Sequence, residues 1–328
     1  MTYSGRGAWR YLRIGVVSGL LLIAGWAVAS DSFPQKEITV VIPYVAGGPT
    51  DVLLRDIFRA AQPYLGQPVS VEYMPGSGAV RGAHYVKEAA SDGYTLLVSH
   101  QALDLAYLAG QASFYHAHFA PVSMLIRTVS IPTTYAGHSA QKASDIAALV
   151  SQRARPLAFG ITHNSNDHFF WLQFFEQSGI SPADVLMVYF PDMTSQVEAL
   201  LAREIDFAML DMPSSGQLYT SHALTALGVA SSERLPGLPH VETLREQGID
   251  LVNTTDRGIL APKDTPPERL AILASALAQA INDTQLRYRL AYDYGSLIDY
   301  RPLAAYSNYM DEQFHVLVPL AEQVHFKR

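Results

Sequence analysis

Gly76, Gly78 and Gly82 stand at nearly the spacing of a dinucleotide-binding turn. Such a turn needs its third glycine at position 81, and Arg81 stands there. Nucleotide binding on that turn is therefore set aside. No Gly-x-Ser-x-Gly elbow and no phosphate loop ending in Gly-Lys-Ser/Thr occurs. His163, Asp167 and His168 cluster in the sequence, as do His116 and His118. Neither spacing matches a zinc pattern, and surface or capping histidines account for them more simply. With no nucleophile–base pair evident, the chain reads as a non-enzyme without metal or cofactor.

Two glycine turns remain, at 43–51 and 75–80. Each follows a β-rich run and precedes a helical pattern. A helix N-terminus leaves backbone N–H groups unpaired and carries partial positive charge. Glycine lets a ligand approach without a Cβ in the way. Two such turns at the C-terminal edge of a parallel sheet can hold a carboxylate by backbone alone. Spacing alone equally permits ordinary tight turns. One helix terminus gives an anion about 0.3–1 kcal/mol, and about 2 at best. Micromolar binding needs roughly 8 kcal/mol. A second lobe that closes and excludes water would be required.

The elements that must position these turns follow from periodicity. Residues 37–42 are β-rich and end at Pro43. The apolar spacing at 53, 54, 57, 58, 60, 61 and 64 suits one face of a helix, capped by Thr50 or Asp51. The unit repeats as strand 69–73 with helix 79–90, and strand 94–99 follows. Strands at 158–161, 185–190, 207–210 and 224–229 alternate with helices at 167–178 and 194–202. The last third reads as helices at 267–282, 284–292 and 303–320. Alternation of this kind predicts α/β lobes with parallel-rich sheets flanked by helices. No flexible linker separates two domains, so the chain is expected to cross between lobes as strands, near 125–130 and 251–258.

Arg6, Arg10 and Arg13 precede an apolar stretch from Ile14 to Val28, and Ala27-Val28-Ala29 offers a small-x-small cleavage site. This is the layout of an export signal over 1–29, too short to span a bilayer comfortably. The chain has 23 basic and 30 acidic residues, so loss of three arginines leaves a body of charge −10. Such a body is not built for nucleic acid. The chain lacks cysteine, which excludes a cysteine-linked lipid anchor. A periplasmic location is expected.

The ordered motifs then point to a family. Phe33-Pro34, Ile38–Tyr44, Ala46–Asp51, Leu65–Val69, Pro75–Gly78, Asp92–Leu97, Phe119–Val122, Leu260–Pro262 and Thr265–Glu268 follow one another across nearly the whole mature chain. In this order the chain resembles the extracytoplasmic solute receptors of the tripartite tricarboxylate transporter family, the TctC/Bug-like proteins. The resemblance implies a two-lobed periplasmic binding fold, with lobe one over 30–127 plus 255–328 and lobe two over 128–254. It implies capture of a small carboxylated ligand and delivery to a permease of one large and one small subunit. The alternative is a periplasmic sensor that signals to a membrane kinase. Lobe one would contribute Tyr44, Ala46, Gly47, Gly48, Thr50 and Asp51, then Gly76, Ser77, Gly78 and Ser99. Asp51 is expected to order its turn rather than touch a carboxylate, which it would repel. Lobe two would contribute Thr162, Asn164, Asp167, Asp192 and Asp211. Its turns depart from the family pattern. Gly160–His168 carries bulkier polar residues than usual. Phe190-Pro191-Asp192-Met193 lacks the usual lysine and two glycines, and Asp256-Arg257 replaces an aromatic pair. Asp192 would suit an amino or amide group on the ligand.

Overall fold

Strand and helix alternate from the start of the described residues, which in this computed structural model are 32–152, 155–163 and 165–323. The expected export signal lies outside them. β1 (Ile38–Ile42), α1 (Pro49–Leu65), β2 (Val69–Tyr73), α2 (Val80–Lys87), β3 (Thr95–Ser99) and α3 (Ala102–Leu108) run in that order. β1 lies between β2 and β3, parallel to both. Its Ile38, Val40, Val41 and Ile42 are all buried, as a parallel strand covered on both faces requires. α1 begins at Pro49, whose fixed φ suits the first helical position. It stops at Gly66, whose left-handed conformation lets its N–H close on Gln62 O. Its buried stripe is Leu53, Leu54, Ile57, Phe58, Ala61 and Leu65. Each large side chain so buried contributes about 1.5–3 kcal/mol. Tyr64, which the periodicity put on that stripe, is 48% exposed because Leu65 takes the inward place.

β4 (Phe119–Val129) and β5 (Ile131–Tyr135) follow, with only Ser130 between them. β4 belongs to the first sheet and β5 to a second. The second sheet is completed by α4 (Asp145–Gln152), β6 (Leu157–Thr162), α5 (Asn166–Ser178), β7 (Val185–Phe190), α6 (Met193–Leu201), β8 (Phe207–Leu210), α7 (Met212–Thr220) and β9 (Leu224–Ala226). β10 (Thr254–Pro262) then returns to the first sheet, and α8 (Pro267–Ile281), α9 (Thr284–Tyr288), β11 (Ser296–Pro302) and α10 (Leu303–Gln323) close the chain. The strand orders are β11-β4-β10-β3-β1-β2 and β7-β6-β8-β5-β9. This is a two-lobed α/β architecture with one sheet per lobe. The two crossings lie side by side: Thr254 pairs with Val129, and Ser130 N–H donates to Asn253 O at 3.1 Å.

The second lobe is built around aromatic rings. Phe159, Phe170, Trp171, Phe174, Phe175 and Phe207 are fully buried. Phe159 meets Trp171 and Phe175 edge-on at 4.8 and 4.9 Å, a geometry that adds to burial.

The sheets are mixed. Parallel pairing holds where strand–helix units run in sequence, while β4, β10 and β11 pair antiparallel. β4 and β10 contain the strand crossings expected near 125–130 and 251–258, but their full length, their antiparallel pairing, β5 and β11 were not anticipated. β4 contains Pro121, Ser123 and Arg127, and β10 contains Asp256, Arg257 and Gly258, which hide a strand period. A Cβ at Gly258 would overlap the Tyr306 ring, so close packing of α10 over β10 explains the glycine. The helix expected over 284–292 ends at Tyr288 and widens into a π turn over Arg289–Asp293. The strand expected over 224–229 ends at Ala226. Among the described residues no helix is long and apolar enough to cross a membrane.

Candidate functional site

The turn after β1 is shaped by an acid that faces away from solvent. Asp51, buried in the first turn of α1, accepts Gly47 N–H at 2.7 Å and Tyr73 Oη–H at 2.8 Å. Arg55 Nη2 lies 2.9 and 2.7 Å from its two oxygens. Burial raises the Asp51 carboxyl, but the hydrogen bonds from Arg55, Gly47 and Tyr73 outweigh it and hold the group below the usual carboxylate range. Asp51 is thus spent on ordering the turn. Gly48, the N-cap of α1, has no side chain to close the helix end. The first helical bond is Val52 N–H to Gly48 O, so the N–H groups of Thr50 and Asp51 precede the ladder.

The turn after β2 is made of four consecutive left-handed residues. Gly76, Ser77, Gly78 and Ala79 have φ of 131°, 51°, 62° and 77°. Two of these are not glycine, a strain that binding turns tend to store. Ala79 caps α2 with no side-chain bond.

Lobe two presents the opposite chemistry. Asp192 caps α6, accepting Ser195 N–H at 2.9 Å. Asp211 caps α7, accepting Ser214 N–H at 3.0 Å. Asp167, in the first turn of α5, accepts Thr162 N–H at 2.8 Å, His168 N–H at 3.0 Å and Gln196 Nε2–H at 2.6 Å. Burial still pushes the Asp167 carboxyl up to about 6. The α1 end lacks a side-chain cap and its Asp51 is engaged behind the turn, the first N–H groups of α2 turn back on Ser77 O and Gly76 O, and the helices of lobe two carry Asp167, Asp192 and Asp211 at their starts.

The two sets meet across one cleft of about 300 Å³. Of the residues expected at the site, Tyr44, Gly48, Thr50, Gly76, Ser77, Gly78, Thr162, Asp167 and Asp192 line it. Ala46 and Gly47 sit on the exposed outer side of their turn, and Asp51 lies behind it. Ser99 lines a separate cavity of about 160 Å³ with Asp256 and Tyr309. Asp211 is buried behind the wall, with Oδ2 3.7 Å from Arg257 Nη2. Asn164 lies outside the described residues. His116 is neither surface nor cap: it is buried, with Nδ1 2.9 Å from Asp104 and Nε2 3.1 Å from Asp311.

Two cleft residues were not anticipated as such. His100, at the end of β3, stacks on Tyr44 with ring centroids 4.5 Å apart. Burial, assisted by Arg257, lowers its imidazole to about 3, so it is a neutral ring whose Nδ1 accepts Ala102 N–H. Arg257 projects from β10 to the cleft wall and is 3% exposed. Burial draws its guanidinium below the usual arginine range, but the group stays charged at neutral pH. Its signal in the sequence was a charge at the head of an apolar run, Gly258–Pro262.

A family profile described as the tripartite tricarboxylate transporter family receptor matches residues 53–297. Protein BugT of Bordetella pertussis is 30% identical over 279 residues, 82% of this chain and 84% of that one. MatC from Rhodopseudomonas palustris with bound malate shares 26% identity and superposes with a TM-score of 0.76, over 89% of this chain and 99% of that one. R. palustris Rpa4515 with adipate, at 21% identity, has the same fold with a TM-score of 0.76, over 89% and 97% of the two chains.

Proposed function

This chain belongs to the tripartite tricarboxylate transporter receptor family, and from that premise we propose that it is a periplasmic solute-binding receptor. It captures a small carboxylated metabolite between two lobes and passes it to a tripartite tricarboxylate-type permease of one large and one small membrane subunit. Lobe one carries the first sheet and lobe two the second, hinged on the paired crossings beside Ser130 and Asn253.

One observation carries the reading. The uncapped N-terminus of α1, the Gly76–Ala79 turn and the turns of lobe two line a single cleft of about 300 Å³. Closure around a ligand removes water from those N–H donors, and a drier site strengthens each bond. Malate bound in MatC supports a carboxylate as the captured group. The acids Asp167 and Asp192 on the facing wall favour a second end that donates hydrogen bonds, as an amino acid or amide-bearing acid does. Mass spectrometry of the protein purified under native conditions tests this directly. A co-purifying carboxylic acid is the expected result. A thermal-shift screen in which only di- and tricarboxylates raise the melting temperature would remove the amino-acid part of the reading.

A further inference from the structure

The guanidinium of Arg257 has more donors than partners. Nε–H donates to Thr50 Oγ1 at 3.0 Å, and Nη1 donates to Thr128 Oγ1 at 2.6 Å and more weakly to Thr255 O at 3.5 Å. Nη2 makes no hydrogen bond within 3.5 Å among the described residues. Its nearest acid oxygen is Asp211 Oδ2 at 3.7 Å. That separation is an ion pair but not the short bidentate contact a structural arginine–carboxylate pair adopts. Asp211 is itself engaged in capping α7. A cation held this deep with two donors unfilled is costly unless an anion completes its shell.

The surroundings point the same way. Thr50, which takes the Nε–H bond, is in the uncapped first turn of α1, so the guanidinium sits beside that helix's unpaired N–H groups. Tyr44 also lines the cleft, and its hydroxyl is buried without a hydrogen-bond partner. Three kinds of unfilled donor therefore belong to residues that line one cleft. Asp256, the neighbour in sequence, projects to the other face of β10, where it takes Arg127 and Tyr309. The strand thus separates a charge held by short hydrogen bonds from one whose Nη2 has only a long ion pair to Asp211.

We propose that Arg257 is a specificity-determining binding residue that anchors the ligand's carboxylate through Nη2, with the α1 N-terminus and the Tyr44 hydroxyl completing the cradle. The two N–H bonds of Nη2 diverge, so one takes a ligand oxygen while the other stays toward Asp211. The inference rests on the receptor reading above and adds the residue that selects for a carboxylate over its neutral analogues.

The test uses the mature chain and isothermal titration with malate, adipate, L-glutamate and L-glutamine, alongside native mass spectrometry. The acid that binds is then compared with its methyl ester at the same carboxyl. Arg257→Gln is expected to weaken the acid roughly 10- to 100-fold, the range for a lost charge-assisted hydrogen bond, and to abolish the preference over the ester. Arg257→Lys should retain part of both. Because Arg257→Gln leaves Asp211 without its cation, the double variant Arg257→Gln/Asp211→Asn repeats the measurement with the pair neutralised. A folded single or double variant that binds the acid as tightly as the wild type, with the ester preference intact, overturns the proposal and leaves the receptor reading standing. If no probe binds the wild type and no acid co-purifies, the receptor reading fails and this inference falls with it.

Discussion

Replacing Asp167 by asparagine should flatten the pH dependence of stability between pH 4 and 7. The Asp167 carboxyl is buried and titrates near 6 in the folded protein. The same group in an unfolded chain titrates near its ordinary value of 3.8. Between those values the native state holds the proton and the unfolded state does not. Stability therefore declines as pH rises through the window and levels off above it. A shift of about two units at roughly 1.4 kcal/mol each gives a loss near 3 kcal/mol across the window. For a chain of this size that is roughly 6 °C in Tm. His168 works against it. Burial and His163 lower its imidazole to about 4, so its contribution rises with pH between about 4 and 6.5. His100, lowered to about 3, acts in the same direction as His168. The wild-type profile is thus a sum of opposed slopes, and the informative quantity is wild type minus Asp167→Asn, measured by thermal melts at half-unit steps. Asparagine keeps one oxygen for Thr162 N–H and Gln196 Nε2–H and gives up the acceptor for His168 N–H, an offset that does not vary with pH. The difference should fall by several degrees from pH 4 to 7 and be flat above. Parallel profiles would refute the view that this carboxyl is desolvated by the cleft wall.

Three further outcomes are expected. Asp192→Ala removes the α6 cap and should cost about 1 kcal/mol, read as a fall of roughly 2 °C in Tm, since Ser195 N–H then lacks its acceptor. Tyr44→Phe should leave stability unchanged or raise it by up to about 1 kcal/mol, because the hydroxyl it removes is buried without a partner; carboxylate affinity in titration should nevertheless fall. Gly258→Ala should destabilise by about 1–3 kcal/mol in urea unfolding, because the new methyl overlaps the Tyr306 ring, and Tyr306→Leu should recover part of that loss.

The strand–helix units of both lobes were legible because each repeats a local rule: an apolar strand, a glycine or proline turn, then an amphipathic helix. The cleft-lining turns at 43–50 and 75–79 were found for the same reason. The crossings near 125–130 and 251–258 were legible as places, but the extent and antiparallel pairing of their strands were not, since those residues answer to long-range neighbours. Thr254 pairs with Val129 from 125 positions away, and no local period announces such a pairing. Asp211 illustrates the same limit. An aspartate at the end of β8 looks like a ligand-facing group from sequence, yet its capping bond to Ser214 and its place beneath Arg257 are tertiary facts.

The polarity of the cleft follows from how its helices begin. Gly48 and Ala79 give α1 and α2 no side-chain cap, and the Asp51 carboxylate of α1 is taken up by Arg55, Gly47 and Tyr73, whereas Asp192 and Asp211 cap α6 and α7 directly. A helix end already neutralised by its own cap has little left to offer a ligand anion. Two anionic ends would place one of them against capped helices and the buried Asp167, where like charge and desolvation both oppose it. One anionic end, seated by the open turns and Arg257, meets neither penalty. On the proposed receptor reading, the departures of lobe two would act on the far end of the ligand, and the carboxylate end would be governed by lobe one.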